Sequence, residues 1–107
     1  MEIAKMASGN GNGEFILEKL LGPAECADKV GLYARVIVPP KMSVPYHQHV
    51  GDSESYYILS GSGVYDDNGE KRAVKAGDST WTPDGSSHGL ENTGDEDLVF
   101  MALIIKK

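Results

Sequence analysis

The sequence predicts an all-β fold, and three observations carry that prediction. Thirteen glycines and five prolines cut the 107 residues into short apolar pieces. From Val30 to the end, no window of about 12 residues repeats its apolar side chains at helical spacing. What remains is a series of strand-length runs bounded by turn residues, the pattern of a sandwich or barrel.

The candidate strands follow in order. EFILEKLL (14–21) lies between Gly13 and the Gly22-Pro23 pair, and GLYARVIVP (31–39) ends at two successive prolines. SYYILSG (55–61) and SGVYDD (62–67) meet at a Gly-Ser-Gly break. The Asn68-Gly69 pair separates SGVYDD from KRAVKAG (71–77), and Asn-Gly can take positive φ at both centres of a type I′ hairpin turn. Read instead as a calcium loop, Asp66 to Gly69 lacks the alternating oxygen ligands and later glutamate of an EF-hand. DSTWTP (78–83), SHGLEN (87–92) and LVFMALII (98–105) complete the set, with the acidic stretch from Glu91 to Asp97 as a solvated turn before the last strand.

Residues 1–13 are read as a flexible N-terminal arm and 14–107 as a single domain. The arm contains SGNGNG, whose alternating glycines suggest a phosphate loop. Such a loop needs a helix behind it and usually a lysine or hydroxyl inside it, and EFILEKLL reads as a strand.

Apolar residues make up 40% of the chain and charged ones 24%, an ordinary balance for a folded domain. Ten basic against sixteen acidic residues give a net charge of −6, which repels nucleic-acid backbones and anionic membrane surfaces. The longest apolar run, LVFMALII, is far short of the roughly 20 residues that span a bilayer. No apolar stretch follows Lys5 as in a secretory signal, so the expected location is the cytoplasm. The one cysteine, Cys26, has no internal partner and no histidine nearby in sequence, and is read as structural or surface.

Chemistry gathers at PYHQHVGDSE (45–54). On a strand, His47 and His49 share one face while Gln48 points away, and Glu54 beyond the Gly51-Asp52-Ser53 corner can add a carboxylate. Imidazole and carboxylate suit iron, manganese, nickel, cobalt, zinc or copper, and the absence of thiolate argues against a closed structural zinc site. Taken alone, HxH followed by an acid fits a metal site and an exposed loop equally well. Gln48 and the Gly51-Asp52-Ser53 corner are read as scaffold.

A second motif supplies the decision. Gly77, Pro83, Gly85, His88 and Asn92 stand at the spacing of the second motif of the cupin superfamily. His47, His49, Glu54 and Gly61 match the first motif of the same family, and only its leading glycine, here Lys41, departs. From Lys41 to Asn92 the chain therefore resembles a small single-domain cupin. Glycines and Pro83 serve turns, and Asn92 is expected to hold a turn through its side chain. A lysine at 41 is expected to use a turn that needs no positive φ.

The resemblance implies a double-stranded β-helix, a jelly-roll barrel, with one divalent transition metal ion (Mn, Fe, Ni, Zn, Co or Cu) held by His47, His49, Glu54 and His88. It leaves open positions for a small molecule offering one or two oxygens. Strand alternation from Glu54 puts Tyr56 and Ile58 on its face and Tyr57 and Leu59 on the other. Tyr56 is the catalytic candidate, a phenol to orient substrate or move a proton, against the alternative of a packed, satisfied tyrosine. Tyr46 is expected to point away from the ion and Trp81 to pack in the core. Arg35 is read as facing solvent or an interface, and pointing inward would imply an anionic substrate.

Three functions follow from the resemblance. The first is a metal-dependent enzyme using the ion as Lewis acid on a sugar or organic acid, of isomerase, lyase or decarboxylase type. The second is an iron-dependent dioxygenase, and the third a non-catalytic small-molecule binding protein. The expected partners are a small-molecule ligand or substrate and a second copy of the chain. The homodimer would meet through the N-terminal arm or an outer sheet face, covering sheet edges and apolar surface.

Overall fold

The computed structural model describes residues 1–11 and 13–107. Ten strands run as β1 (Glu2–Ala7), β2 (Glu14–Lys19), β3 (Val30–Val38), β4 (Ser43–Gln48), β5 (Asp52–Ser60), β6 (Ser62–Asp67), β7 (Glu70–Lys75), β8 (Ser79–Thr82), β9 (Ser87–Glu91) and β10 (Leu98–Lys106), with a single turn of helix, α1 (Pro23–Cys26), between β2 and β3. They form a six-stranded sheet in the order β1-β2-β3-β10-β5-β8 and a four-stranded sheet in the order β4-β9-β6-β7. Every pairing is antiparallel. No helix among the described residues is long and apolar enough to cross a membrane.

Alternation along the strands builds the interior. Ala34, Val36 and Val38 of β3, Leu98, Phe100 and Ala102 of β10, and Tyr56 and Ile58 of β5 are buried, while Tyr57 and Leu59 are exposed. From the other sheet come Val44, Tyr65, Val74 and Leu90. Each fully buried large side chain contributes about 1.5–3 kcal/mol relative to exposure. The same alternation corrects one expectation: on β8, Thr80 and Thr82 point inward, so Trp81 lies on the outer face, 53% exposed.

Residues 2–7, assigned from sequence to the arm, form β1, which pairs with β2 from Glu2↔Lys19 to Ala7↔Glu14. The segment continues onto the second sheet: Gly9 N–H donates to Ser43 O (2.9 Å) and Ser43 N–H to the buried Ser8 Oγ (2.9 Å). Asn12, within SGNGNG, lies outside the described residues. Ser43–Gln48 is also a strand, despite Pro45, which coincides with a register shift between Val44 and His47.

Two turns fix the frame around β4 to β7. Asn68 (φ 54°) and Gly69 (φ 98°) both take positive φ in the two-residue loop between β6 and β7, as a type I′ turn requires. At Gly61 (φ 84°), an added Cβ would stand 2.5 Å from Asp97 O, so the β5–β6 junction admits no side chain.

Lys41 departs from expectation. Met42 N–H donates to Pro39 O (3.1 Å), closing a Pro39-Pro40-Lys41-Met42 turn in which Lys41 sits at φ 69°. The turn keeps the left-handed conformation natural to the glycine of the motif, with lysine bearing the Cβ cost. The Lys41 side chain pairs with the exposed Asp95 at 4.0 Å, a contact of little worth in solvent. Lys41→Gly is therefore expected to raise stability by about 0.5–1 kcal/mol in chemical denaturation; a loss of stability would contradict the strained turn.

Candidate metal centre

Four side chains from three strands and one strand end converge inside the barrel. His47 lies near the end of β4, His49 one residue beyond it, Glu54 on β5 and His88 on β9. The antiparallel pairing of β4 with β9 sets His47 directly opposite His88. His49 is pinned by its backbone, donating to Ser86 O (2.9 Å) and accepting from Gly85 N–H (2.7 Å). The second motif thus holds a residue of the first.

One ligating atom from each of the four lies within 4.8 Å of the others, a group that could hold a metal ion. His49 Nε2 is 3.2 Å from His47 Nε2, 3.0 Å from His88 Nε2 and 3.0 Å from Glu54 Oε1. His88 Nε2 is 2.9 Å from the same Glu54 oxygen. Two donors each about 2.1 Å from one ion and at right angles stand about 3.0 Å apart, so these separations fit a shared ion with room for further ligands.

The hydrogen bonds behind the rings sharpen this fit. His47 Nδ1 is 2.6 Å from Pro45 O, a carbonyl that only accepts, so Nδ1 carries the proton. His49 Nδ1 donates likewise to Asp52 Oδ1 at 2.7 Å. In the neutral rings both Nε2 atoms therefore bear lone pairs, and these face one another and the Glu54 carboxylate. Acceptors so placed are satisfied by a shared proton or by a cation among them.

His88 is fully buried, its Nδ1 2.8 Å from both Tyr65 Oη and Thr82 Oγ1, which are 2.7 Å from each other. Burial, opposed by Glu54, holds its pKa below the ordinary imidazole value, which favours the neutral, ligating form. Tyr56 lies on the Glu54 face as expected from alternation, with its hydroxyl 3.4 Å from His88 Nε2 and its ring 4.4 Å from that of Phe100. Burial first, and then the Glu54 charge, push its pKa well above the usual tyrosine range. Tyr56 thus stays a phenol able to donate a proton in a hydrogen bond.

Tyr46 is exposed. Arg35 faces outward and forms an ion pair with Glu18 across the β2–β3 register. Asn92, buried, donates to Val38 O (2.9 Å) and Glu96 O (2.7 Å) and accepts from Gly94 N–H (2.9 Å), holding the turn as expected. Gln48 donates to Gly85 O at 2.9 Å, a scaffold contact. Asp52 is not mere scaffold, because it fixes the His49 ring. Sequence reasoning missed it together with Tyr65 and Thr82; the inward alternation of Thr80 and Thr82 about Trp81 was the available signal.

A cavity of 240 Å³ opens on the cluster, lined by His47, Glu54 and Tyr56 and otherwise by apolar side chains. The larger surface depression of 510 Å³ lies between β1, β2 and α1 and includes none of the four.

A family model described as "Cupin domain" matches residues 34–104. A protein of Thermotoga maritima named "Oxalate-binding protein" is 47% identical over 95 residues, spanning 89% of this chain and 78% of that protein. A crystal structure of a predicted oxalate decarboxylase from Thermotoga maritima is 42% identical, with a TM-score of 0.93 over 100% of this chain and 94% of that one. An uncharacterized conserved protein with a double-stranded β-helix domain from Klebsiella pneumoniae is 25% identical, with a TM-score of 0.78 over 89% and 79% of the two chains.

Proposed function

This chain belongs to the cupin family, and from that premise we propose that it is a metal-dependent enzyme acting on a small oxygenated organic acid, of lyase or decarboxylase type. The observation that carries the reading is the set of imidazole lone pairs and the Glu54 carboxylate facing one another within 4.8 Å. His47, His49, Glu54 and His88 would hold one divalent transition metal. When bound, such an ion supplies Lewis-acid polarisation of a carboxylate or carbonyl oxygen.

The chain's own residues do the rest. Asp52, Pro45 O and the Tyr65–Thr82 hydroxyl pair orient the three imidazoles through Nδ1. Tyr56, protonated, donates a hydrogen bond to a substrate oxygen beside His88. The apolar wall around Phe100 excludes water and strengthens both effects. The names of the Thermotoga relatives support a small acid as ligand.

One relative's name, an oxalate-binding protein, also favours a second reading, a non-catalytic binder. Incubation of manganese-loaded protein with a panel of small carboxylic acids separates the two. Carbon dioxide release that is lost on chelation supports the enzyme; saturable binding with no product from any acid would sink it.

The proposed assembly is a homodimer through the outer face of the six-stranded sheet. Tyr33, Leu103, Ser55 and Trp81 form one continuous row across four strands, with Tyr57 and Ile105 also exposed on that face. A self-complementary apolar patch of this kind suits a two-fold contact. Sedimentation is expected to give a dimer, shifted toward monomer by Trp81→Glu; a wild-type monomer at every concentration would contradict it.

A further inference from the structure

We infer that the ligand of this site carries an apolar body behind a singly charged, oxygen-chelating head, and that the cavity disfavours a compact dianion such as oxalate. This inference rests on the metal reading above and adds the substrate class. Nine of the twelve residues lining the 240 Å³ cavity are apolar, among them Phe15, Leu17, Leu32, Val36 and Ile104. The other three, His47, Glu54 and Tyr56, belong to the cluster or touch it, and none of the twelve is lysine or arginine.

Charge decides the head group. No lysine or arginine lines the cavity, and the carboxylates of Glu54 and, through His49, Asp52 already stand beside the site, so each further negative charge on a ligand is harder to compensate. A dianion sets more unpaired charge than a monoanion among hydrocarbon walls, where such charge is poorly solvated. The basic residues of β2 and β3 offer no help: Arg35 faces outward to Glu18, and Lys19 pairs with Glu2 at 3.5 Å. Shape decides the body, since oxalate has no hydrocarbon to set against Leu17, Leu32 and Phe100, whereas each methylene buried there adds about fourfold in affinity.

The test uses manganese-loaded protein, with manganese content measured on the same sample. Calorimetric affinities are compared for oxalate, pyruvate and 4-methyl-2-oxopentanoate, each divided by that acid's affinity for manganese in solution. The isobutyl acid is expected to gain at least about tenfold over pyruvate, with oxalate gaining least. Met6→Lys, at the rim of the cavity and outside the cluster, is expected to strengthen oxalate binding by about fivefold with unchanged manganese content. A flat series, or the largest gain for oxalate, overturns this inference while leaving the metal reading intact. Protein that takes up no manganese overturns both.

Discussion

His49→Ala is expected to lower transition-metal affinity by more than about a hundredfold, beyond the loss typical of an outer-shell change. His49 Nε2 lies within 3.2 Å of all three other ligating groups. Its side chain also links the cluster to Asp52, so truncation removes a donor and its orienting bond together. The fold should persist, because the backbone contacts of residue 49 to Gly85 and Ser86 do not use the ring. Metal analysis alongside circular dichroism checks both points: a folded variant that keeps a full equivalent of metal would refute the assignment.

Asp52→Ala is expected to cost about 10–100-fold in metal affinity, the range found for partners that orient a ligating histidine. The carboxylate accepts from His49 Nδ1 at 2.7 Å, which fixes the tautomer and makes Nε2 a better donor. Asp52→Asn retains an accepting oxygen and should recover part of the loss. Competition with a chromophoric chelator measures the affinities, and the melting temperature of the metal-free protein serves as control. Equal affinities for wild type and Asp52→Ala would reduce Asp52 to a corner residue.

Much of this architecture was legible in the sequence, for reasons that differ by element. The strand runs from residue 14 onward were readable because glycine and proline bound them and alternation marks a buried face, as with Glu54, Tyr56 and Ile58. The three histidines and Glu54 were readable because spacing in two separated motifs is a one-dimensional record of strand pairing. β1 was not, since EIAKMA buries almost nothing and gains its place from pairing with β2.

The departures from expectation have separate causes. Trp81 was assigned to the core on its size, yet β8 presents its threonines inward, one of them to His88. Tyr65 reaches His88 because β6 pairs with β9, a contact between residues 23 apart that no local pattern encodes. Lys41 was given an ordinary turn, but the two prolines before it and the bond from Met42 to Pro39 place it in the left-handed region.

The central claim is that His47, His49, Glu54 and His88 hold one divalent metal. Elemental analysis of protein purified without added metal, repeated after incubation with manganese, iron, nickel, cobalt, zinc and copper salts, tests it most directly. About one equivalent of a transition metal per chain is the predicted result; less than about a tenth of an equivalent, with no uptake from any of the six salts, would contradict it.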